Sequence, residues 1–280
     1  MAVRVVADSV SDLPPEIADE LGITVVPANV HFGTQVFKDG VDLTTDEFFE
    51  RLLNGPDFPT TSQPSVGDFV DAYERVAVDA DAIVSIHVSS KVSGTFNSAQ
   101  QGSERAEVDC PIEVIDTLQA SMGVGLIVMA AARAANAGAS VEEVVEVANS
   151  ATARAQCVVL LDTLEYLQKG GRIGKARALV GTLLKIKPLI TVLDGVVHDF
   201  AKERTRRKGM ARLERAAQDF SPFTSAAVMY STSRDEVDSL AESIRPLMSG
   251  DEEPIVVRFG PALGTYVGPD SLGLVILGDS

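Results

Sequence analysis

The first half of the chain alternates short apolar runs with longer amphipathic segments. The run over 82–88 is almost continuously apolar, as is typical of a parallel strand buried on both faces. Thr44 to Glu47 and Ser140 to Glu143 have the capping-box pattern that begins helices. We predict strands over 3–7, 23–26, 82–88 and 112–115, a hairpin over 30–37, and an alanine-rich helix that ends before Gly138. Strands that alternate with helices in this way indicate an α/β domain with a doubly wound parallel sheet.

The composition of the chain changes in its second half. After an apolar run over 156–161, the segment 169–175 is rich in glycine and in basic residues, so we place a domain boundary near residue 161. Asp194-Gly195 between two apolar runs predicts a hairpin. It is followed by a predicted helix over 205–219, a strand over 224–230, a helix over 233–247 and a strand over 255–259. We therefore predict two domains, an N-terminal parallel-sheet domain over 1–161 and a smaller C-terminal α/β domain with a mixed sheet over 162–280.

Composition and hydropathy indicate a protein of the cytoplasm. Hydrophobic residues make up 45% of the chain and charged residues 23%, which is close to the average of globular proteins. Cys110 and Cys157 stand among apolar neighbours, which favours free thiols over a disulfide framework. The longest apolar stretch, 124–132, has about half the length that a membrane-spanning helix needs. Asp8 interrupts the N-terminal apolar run before a signal peptide could form, so we expect a cytoplasmic protein.

The charge is unevenly distributed along the chain. The formal net charge of −16 argues against binding to nucleic acid and leaves at most transient contact with an anionic membrane. Residues 165–215 nevertheless hold 13 Lys or Arg and 5 Asp or Glu, a local net charge of +8. Arg172, Lys202, Arg204 and the run 206–208 carry much of this charge. A solvated helix face is the simplest explanation of such a run, and an acidic partner or a phosphate-bearing molecule is the functional one.

Two loops rich in hydroxyl side chains, 60–62 and 89–95, lie near carboxyl ends of predicted strands, where open α/β sheets bind ligands. Their hydroxyl and amide groups suit an anion, and helix capping is the alternative use of such residues. A hydrolase would need Ser93 activated by His87, but the chain has no Gly-x-Ser-x-Gly segment, and His87 stands among apolar residues as a structural histidine does. The histidines and cysteines have no metal-ligand spacing, so we predict no metal site.

Seven ordered segments together resemble the DegV family, the fatty-acid-binding proteins that serve as the lipid-carrying subunit of bacterial fatty acid kinase. The segments are 7–14 (ADSVSDLP), 21–27 (LGITVVP), 59–65 (PTTSQPS), 85–95 (SIHVSSKVSGT), 163–173 (TLEYLQKGGRI), 186–188 (IKP) and 202–205 (KERT). The resemblance implies an apolar tunnel between the two domains that holds the acyl chain of a long-chain fatty acid. It also implies a non-catalytic protein that needs no cofactor.

The same resemblance assigns site residues. Thr61, Ser93 and the backbone N–H of Gly94 would hold the fatty-acid carboxylate. Arg172 and Arg204 lie in the segments associated with the partner, an ATP-dependent fatty acid kinase that makes an acyl phosphate.

One residue departs from the family pattern. The family's C-terminal Gly-Thr-His appears here as 264–266, with Tyr266 in place of the histidine. A histidine can carry positive charge beside the carboxylate, whereas a tyrosine, with an ordinary pKa of about 10, donates a neutral hydrogen bond. Two other functions stay open from the sequence: a regulatory protein that senses acyl chains without a kinase partner, and an acyl hydrolase that depends on Ser93.

Overall fold

The computed structural model describes residues 2–179, 186–250 and 252–279. The strands are β1 Val3–Asp8, β2 Ile23–Val26, β3 Asn29–Phe32, β4 Gln35–Lys38, β5 Thr60–Ser62, β6 Ala82–His87, β7 Ile112–Asp116, β8 Ala155–Leu160, β9 Lys187–Leu193, β10 Val196–Glu203, β11 Phe223–Tyr230, β12 Ile255–Arg258 and β13 Leu272–Gly278. The helices are α1 Pro15–Leu21, α2 Thr45–Asn54, α3 Val66–Ala77, α4 Thr95–Ser103, α5 Met122–Asn136, α6 Val141–Arg154, α7 Glu165–Lys169, α8 Arg206–Phe220, α9 Val237–Ile244 and α10 Pro261–Val267. Within the described residues, every helix is too short or too polar to cross a membrane.

The first sheet is parallel throughout, in the order β2-β1-β6-β7. Successive residues of β1 point to opposite faces of the first sheet. Val6 packs with Phe69 and Tyr73 of α3 and with Ala99 of α4, while Val5 belongs to the cluster that contains the buried side chains of α5 and α6. The central strand β6 is buried along its whole length, as its apolar run predicts. Helices therefore cover both faces, and the predicted doubly wound α/β fold is confirmed.

The second sheet has the order β10-β9-β8-β13-β11-β12 and is mixed, as predicted. β11 and β12 run parallel, and the other neighbouring strands run antiparallel. Asp194 and Gly195, with φ of 50° and 78°, form the predicted turn between β9 and β10. Helices α8 and α9 cover one face of this sheet, and α5 packs on the other. Because α5 also contacts β1, it lies between the two sheets.

Strand β8 lies in the second sheet, although the predicted boundary near residue 161 places it in the N-terminal domain. It pairs with β9 and with β13, so the chain passes from the first sheet to the second before Ala155. The apolar run over 156–161 does not indicate which sheet the strand joins, because the strands that pair with it lie elsewhere in the sequence. The structure also has two strands that we did not predict, β13 and the short β5 within the segment predicted as a loop. Its α9 is shorter than the helix predicted over 233–247. The division into domains 1–161 and 162–280 stays a prediction.

A small antiparallel sheet, β4-β3-β5, brings one hydroxyl-rich loop towards the second sheet. The predicted hairpin is observed as β3 and β4, which turn at Gly33 with φ of 57°. β5 pairs with β3 and carries Thr61. Two phenylalanines of α2 pack under this sheet together with Ala262 of α10. The small sheet therefore lies against α10, the helix that carries Tyr266.

Candidate functional site

An apolar cavity lies between the two sheets. The space between its walls that is not filled by atoms, including the part open to solvent, is about 980 Å³. Its lining comes from β5, from the loops after β1 and β6, from the residues just before α5, and from β8, β9, β10 and α10. The apolar side chains of the lining are Val10, Ala28, Val88, Val92, Ala120, Val159, Leu167, Ile190, Val192, Val197, Phe259, Ala262, Leu263 and Val267. Such walls suit a hydrocarbon chain, which is driven from water into apolar surroundings.

Four of the predicted site residues meet in the polar part of the lining. Thr61 Oγ1 and the Tyr266 hydroxyl oxygen are 2.5 Å apart. The Arg172 guanidinium lies 5.3 Å from the centre of the Tyr266 ring, and its Nε donates to the carbonyl of Val92 at 3.2 Å. Ser93 follows Val92 and also lines the cavity. The fold thus joins residues that are as many as 205 positions apart in the sequence.

Gly94 lies beside this group, at the N-cap of α4. The hydroxyl of Ser93, which precedes it, is 2.8 Å from the hydroxyl of Thr95. A Cβ atom at position 94 would lie 2.9 Å from the side-chain amide of Gln63, so a larger residue there would displace the end of that flexible side chain. Gln63 itself lines the cavity and was missed by sequence reasoning. Its place two residues after Thr61 in a hydroxyl-rich loop is the signal that could have found it.

The two predicted partner-contacting arginines occupy different places. Arg172 lines the cavity although much of the residue is exposed, and its Nη1 donates to the carbonyl of Gly170 at 2.9 Å. Arg204 is exposed between β10 and α8 and is not part of the cavity lining. The structure therefore joins Arg172 to the group around Tyr266 and leaves Arg204 outside that group. Contact of either residue with a partner stays a prediction.

His87 belongs to a buried chain of polar side chains, as expected of a structural histidine. Its Nδ1 lies 3.0 Å from Asp8 Oδ2, and its Nε2 lies 2.7 Å from Ser85 Oγ. Ser85 Oγ lies 2.9 Å from the hydroxyl of Tyr73, whose pKa is raised by burial. Because both ring nitrogens have these partners, His87 is not positioned as a general base for Ser93. The geometry therefore gives no support to a hydrolase that uses this pair.

The two cysteines are free thiols, as predicted. Cys157 lines the cavity, and its burial, with the nearby charge of Asp12 as a smaller cause, raises the pKa of its thiol to about 12. Cys110 lies outside the cavity lining. In the part of the chain that the structure describes, no three His, Cys, Asp or Glu side chains are grouped to hold a metal ion. That the protein works without a cofactor stays a prediction.

Comparison with known proteins identifies the family. The model of the DegV family, a family of uncharacterised proteins, matches residues 2–279. The chain belongs to the DegV family. A DegV domain-containing protein of Halalkalibacterium halodurans is 36% identical over 278 residues, which cover 97% of each chain. Another from Streptomyces coelicolor is 35% identical over 277 residues, which cover 98% of each chain.

Solved DegV structures share the whole fold. A DegV family protein from Thermus thermophilus, known for fatty acid binding, has a TM-score of 0.93 at 33% identity, with 100% of both chains covered. DegV of Bacillus subtilis, a fatty acid binding protein, has a TM-score of 0.87 at 30% identity and the same coverage. A stearic-acid-binding protein from Eubacterium ventriosum has a TM-score of 0.90 at 26% identity, covering 99% of this chain and 98% of that one. The predicted family and fold are confirmed, and DegV family proteins bind fatty acids.

Proposed function

We propose that this DegV protein binds a long-chain fatty acid in the cavity between the sheets and presents its carboxylate to a partner kinase, which forms an acyl phosphate. The observation that carries the proposal is an aliphatic cavity whose polar part holds Thr61, Ser93 and Tyr266. The fatty acid binding of the Thermus and Bacillus relatives supports the same class of ligand.

The lining of the cavity suits both parts of a fatty acid. Each methylene removed from water contributes roughly 0.8 kcal/mol, so a chain of about ten methylenes would contribute about 8 kcal/mol. The carboxylate loses its hydration on entry and therefore needs hydrogen-bond donors. Three hydroxyls and the N–H of Gly94 are the candidate donors, and a hydrogen bond to a charged acceptor contributes about 1.5–3 kcal/mol. Apolar burial thus supplies most of the affinity, and the polar group fixes which end of the ligand lies there.

The kinase part of the proposal rests on charge. Arg172 lies against the ring of Tyr266, beside the place proposed for the carboxylate. It belongs to the segment 165–215, whose net charge is +8 in a chain of −16. A nucleotide, a transferred phosphoryl group and an acidic protein surface are all anions that guanidinium groups pair with. Arg204 would extend this contact over the surface outside the cavity.

Organic extraction of the purified protein followed by mass spectrometry tests the ligand. We expect a stoichiometric fatty acid, because an apolar cavity between two sheets should retain its ligand through purification. Ser93→Ala should lower the retained amount by removing a donor, whereas Ser90→Ala, in the same loop but exposed, is the matched control. The ligand proposal is wrong if extraction recovers no fatty acid and if incubation with saturated and unsaturated long-chain acids also fails to load the protein.

Turnover with a bacterial fatty acid kinase tests the second part. The loaded protein, ATP and the kinase should form an acyl phosphate, which hydroxylamine traps as a hydroxamate. Arg204→Ala should lower turnover without changing the fatty acid content, since Arg204 lies outside the cavity lining. Tyr266→His should keep the ligand and raise turnover, because a histidine can place positive charge beside the carboxylate. Lipid binding without phosphorylation by any kinase tested would favour a regulatory lipid sensor instead.

A further inference from the structure

Two carboxylates that follow β1 and β4 meet at the first turn of α10. Asp12 Oδ1 accepts the N–H of Gly260 at 2.9 Å, and Asp39 Oδ1 accepts the N–H of Ala262 at 3.3 Å. Pro261 between them has no N–H to offer. A Cβ atom at position 260 would lie 2.9 Å from Asp12 Oδ1 and 3.7 Å from Asp39 Oδ1, which shows how closely both oxygens approach the same point. The two carboxylates therefore satisfy the amides with which this helix begins.

The second oxygen of each carboxylate is bonded to the wall of the cavity. Asp12 Oδ2 accepts the hydroxyl of Ser121 at 2.6 Å, and Ser121 lines the cavity. Asp39 Oδ2 accepts the hydroxyl of Ser9 at 2.7 Å, and Ser9 Oγ in turn accepts the N–H of Ala28, another lining residue, at 3.0 Å. Asp12 thus joins α10 to the cavity wall through Ser121, and Asp39 does so through Ser9 and the N–H of Ala28.

The helix that both carboxylates hold also carries a residue of the proposed ligand site. α10 runs from Pro261 to Val267 and carries Tyr266, whose hydroxyl lies beside Thr61. A shift of the first turn of so short a helix moves its last turn as well, because seven residues span about 10 Å. We propose that Asp12 and Asp39 are positioning residues of the fatty-acid site, which fix the first turn of α10 and thereby hold the Tyr266 hydroxyl beside Thr61. This inference rests on the proposed function, since it assigns these residues to the same site.

The energetics of the two acids support a positioning role. Asp12 and Asp39 are both almost fully buried. Burial is the largest cause that raises the pKa of Asp12 to about 8 and that of Asp39 to about 6. The charges of Asp39 and Asp8 also raise the pKa of Asp12, and the charge of Asp8 raises that of Asp39. An apolar contact at this place would avoid the cost of burying two acids. Stability alone therefore does not explain the arrangement, whereas a fixed orientation of α10 does.

A double-mutant cycle separates positioning from general stability. We expect Asp12→Asn and Asp39→Asn each to weaken fatty acid binding about fivefold or more, because an amide oxygen replaces only part of each hydrogen-bond pair. In a Tyr266→Phe background the same substitutions should cost less than about twofold, since the hydroxyl that they position is already absent. Val228→Ala, buried under α8 and α9, is the control that lowers the melting temperature and leaves affinity unchanged. Equal losses of affinity with and without the Tyr266 hydroxyl would overturn the proposal.

Hydrogen–deuterium exchange tests the same contact without any ligand. Asp12→Asn should speed exchange in the peptide 260–268 and leave the peptide of α9, 237–244, as in the wild-type protein. If the wild-type protein binds no fatty acid but exchange changes in this way, the proposed function fails while the carboxylates still fix α10. If affinity is normal in the wild-type protein and exchange of 260–268 is unaltered in both Asn variants, the positioning role is wrong. Asp39→Asn provides the second measurement should Asp12→Asn fail to fold.

Discussion

Replacement of Thr61 by valine removes one hydroxyl from the cavity and nearly preserves the shape of the side chain. Thr61 Oγ1 and the Tyr266 hydroxyl oxygen are 2.5 Å apart, so the two hydroxyls form a hydrogen bond with each other. Binding would exchange that neutral hydrogen bond, worth about 0.5–1.5 kcal/mol, for one to a carboxylate, worth about 1.5–3 kcal/mol. The difference of about 1–2 kcal/mol corresponds to an affinity about 5- to 30-fold weaker in Thr61→Val.

Displacement of a fluorescent fatty acid measures this loss. Thr60→Val is the matched control, because Thr60 lies on the same strand but is exposed and does not line the cavity. Its affinity should equal that of the wild-type protein, and both variants should unfold at nearly the wild-type temperature. Unchanged affinity in Thr61→Val would refute the placement of the carboxylate beside Tyr266. An equal loss of affinity in Thr60→Val would show that the effect comes from a change in strand β5 and not from the Thr61 hydroxyl.

Three further predictions concern packing, a buried hydroxyl and pH. Gly170→Ala should weaken fatty acid binding by about 1–3 kcal/mol in a displacement assay, because its Cβ would lie 2.5 Å from the Tyr266 ring. Tyr73→Phe should lower the free energy of urea unfolding by about 1–3 kcal/mol with unchanged affinity, because Ser85 loses a partner. Burial raises the pKa of Asp12 from 3.8 to about 8, so its bound proton stabilises the folded state fully below pH 3.8, and this contribution is lost as pH rises through about 8. Urea unfolding should therefore require less denaturant at high pH, and Asp12→Asn should reduce that difference.

The elements that the sequence predicts well are those with local causes. The continuous apolar run of β6, the capping boxes of α2 and α6 and the turn at Asp194-Gly195 each depend on neighbouring residues, and each is found where predicted. The pairing of β8 and the position of β13 depend on strands far away in the chain, and the sequence did not predict them. A central strand in a mixed sheet is recognised by its partners rather than by its own residues.

The candidate site divides in the same way. Thr61, Ser93, Arg172 and Tyr266 were predicted through resemblance to a family and line one cavity in the structure. Asp12 and Asp39 were not predicted, because their segments, Ser-Asp-Leu and Lys-Asp-Gly, look like ordinary turns. Asp12 contacts Gly260, 248 positions later in the chain, and Asp39 contacts Ala262, 223 positions later. No local pattern reports a contact over such separations.

The place of β13 in the second sheet sets the order in which the protein can be built. β13 lies between β8 and β11, yet it follows both in the chain, so a ribosome delivers the middle of the sheet after its flanks. The first sheet contains only strands from residues 3 to 116 and can pair while the second is still being synthesised. Until residues 272–278 emerge, β8 and β11 have no strand between them, so the sheet whose strand β8 carries Cys157 and Val159 of the cavity wall is incomplete. If the cavity holds a fatty acid as proposed, we expect a nascent chain stalled before residue 272 to be recovered without lipid.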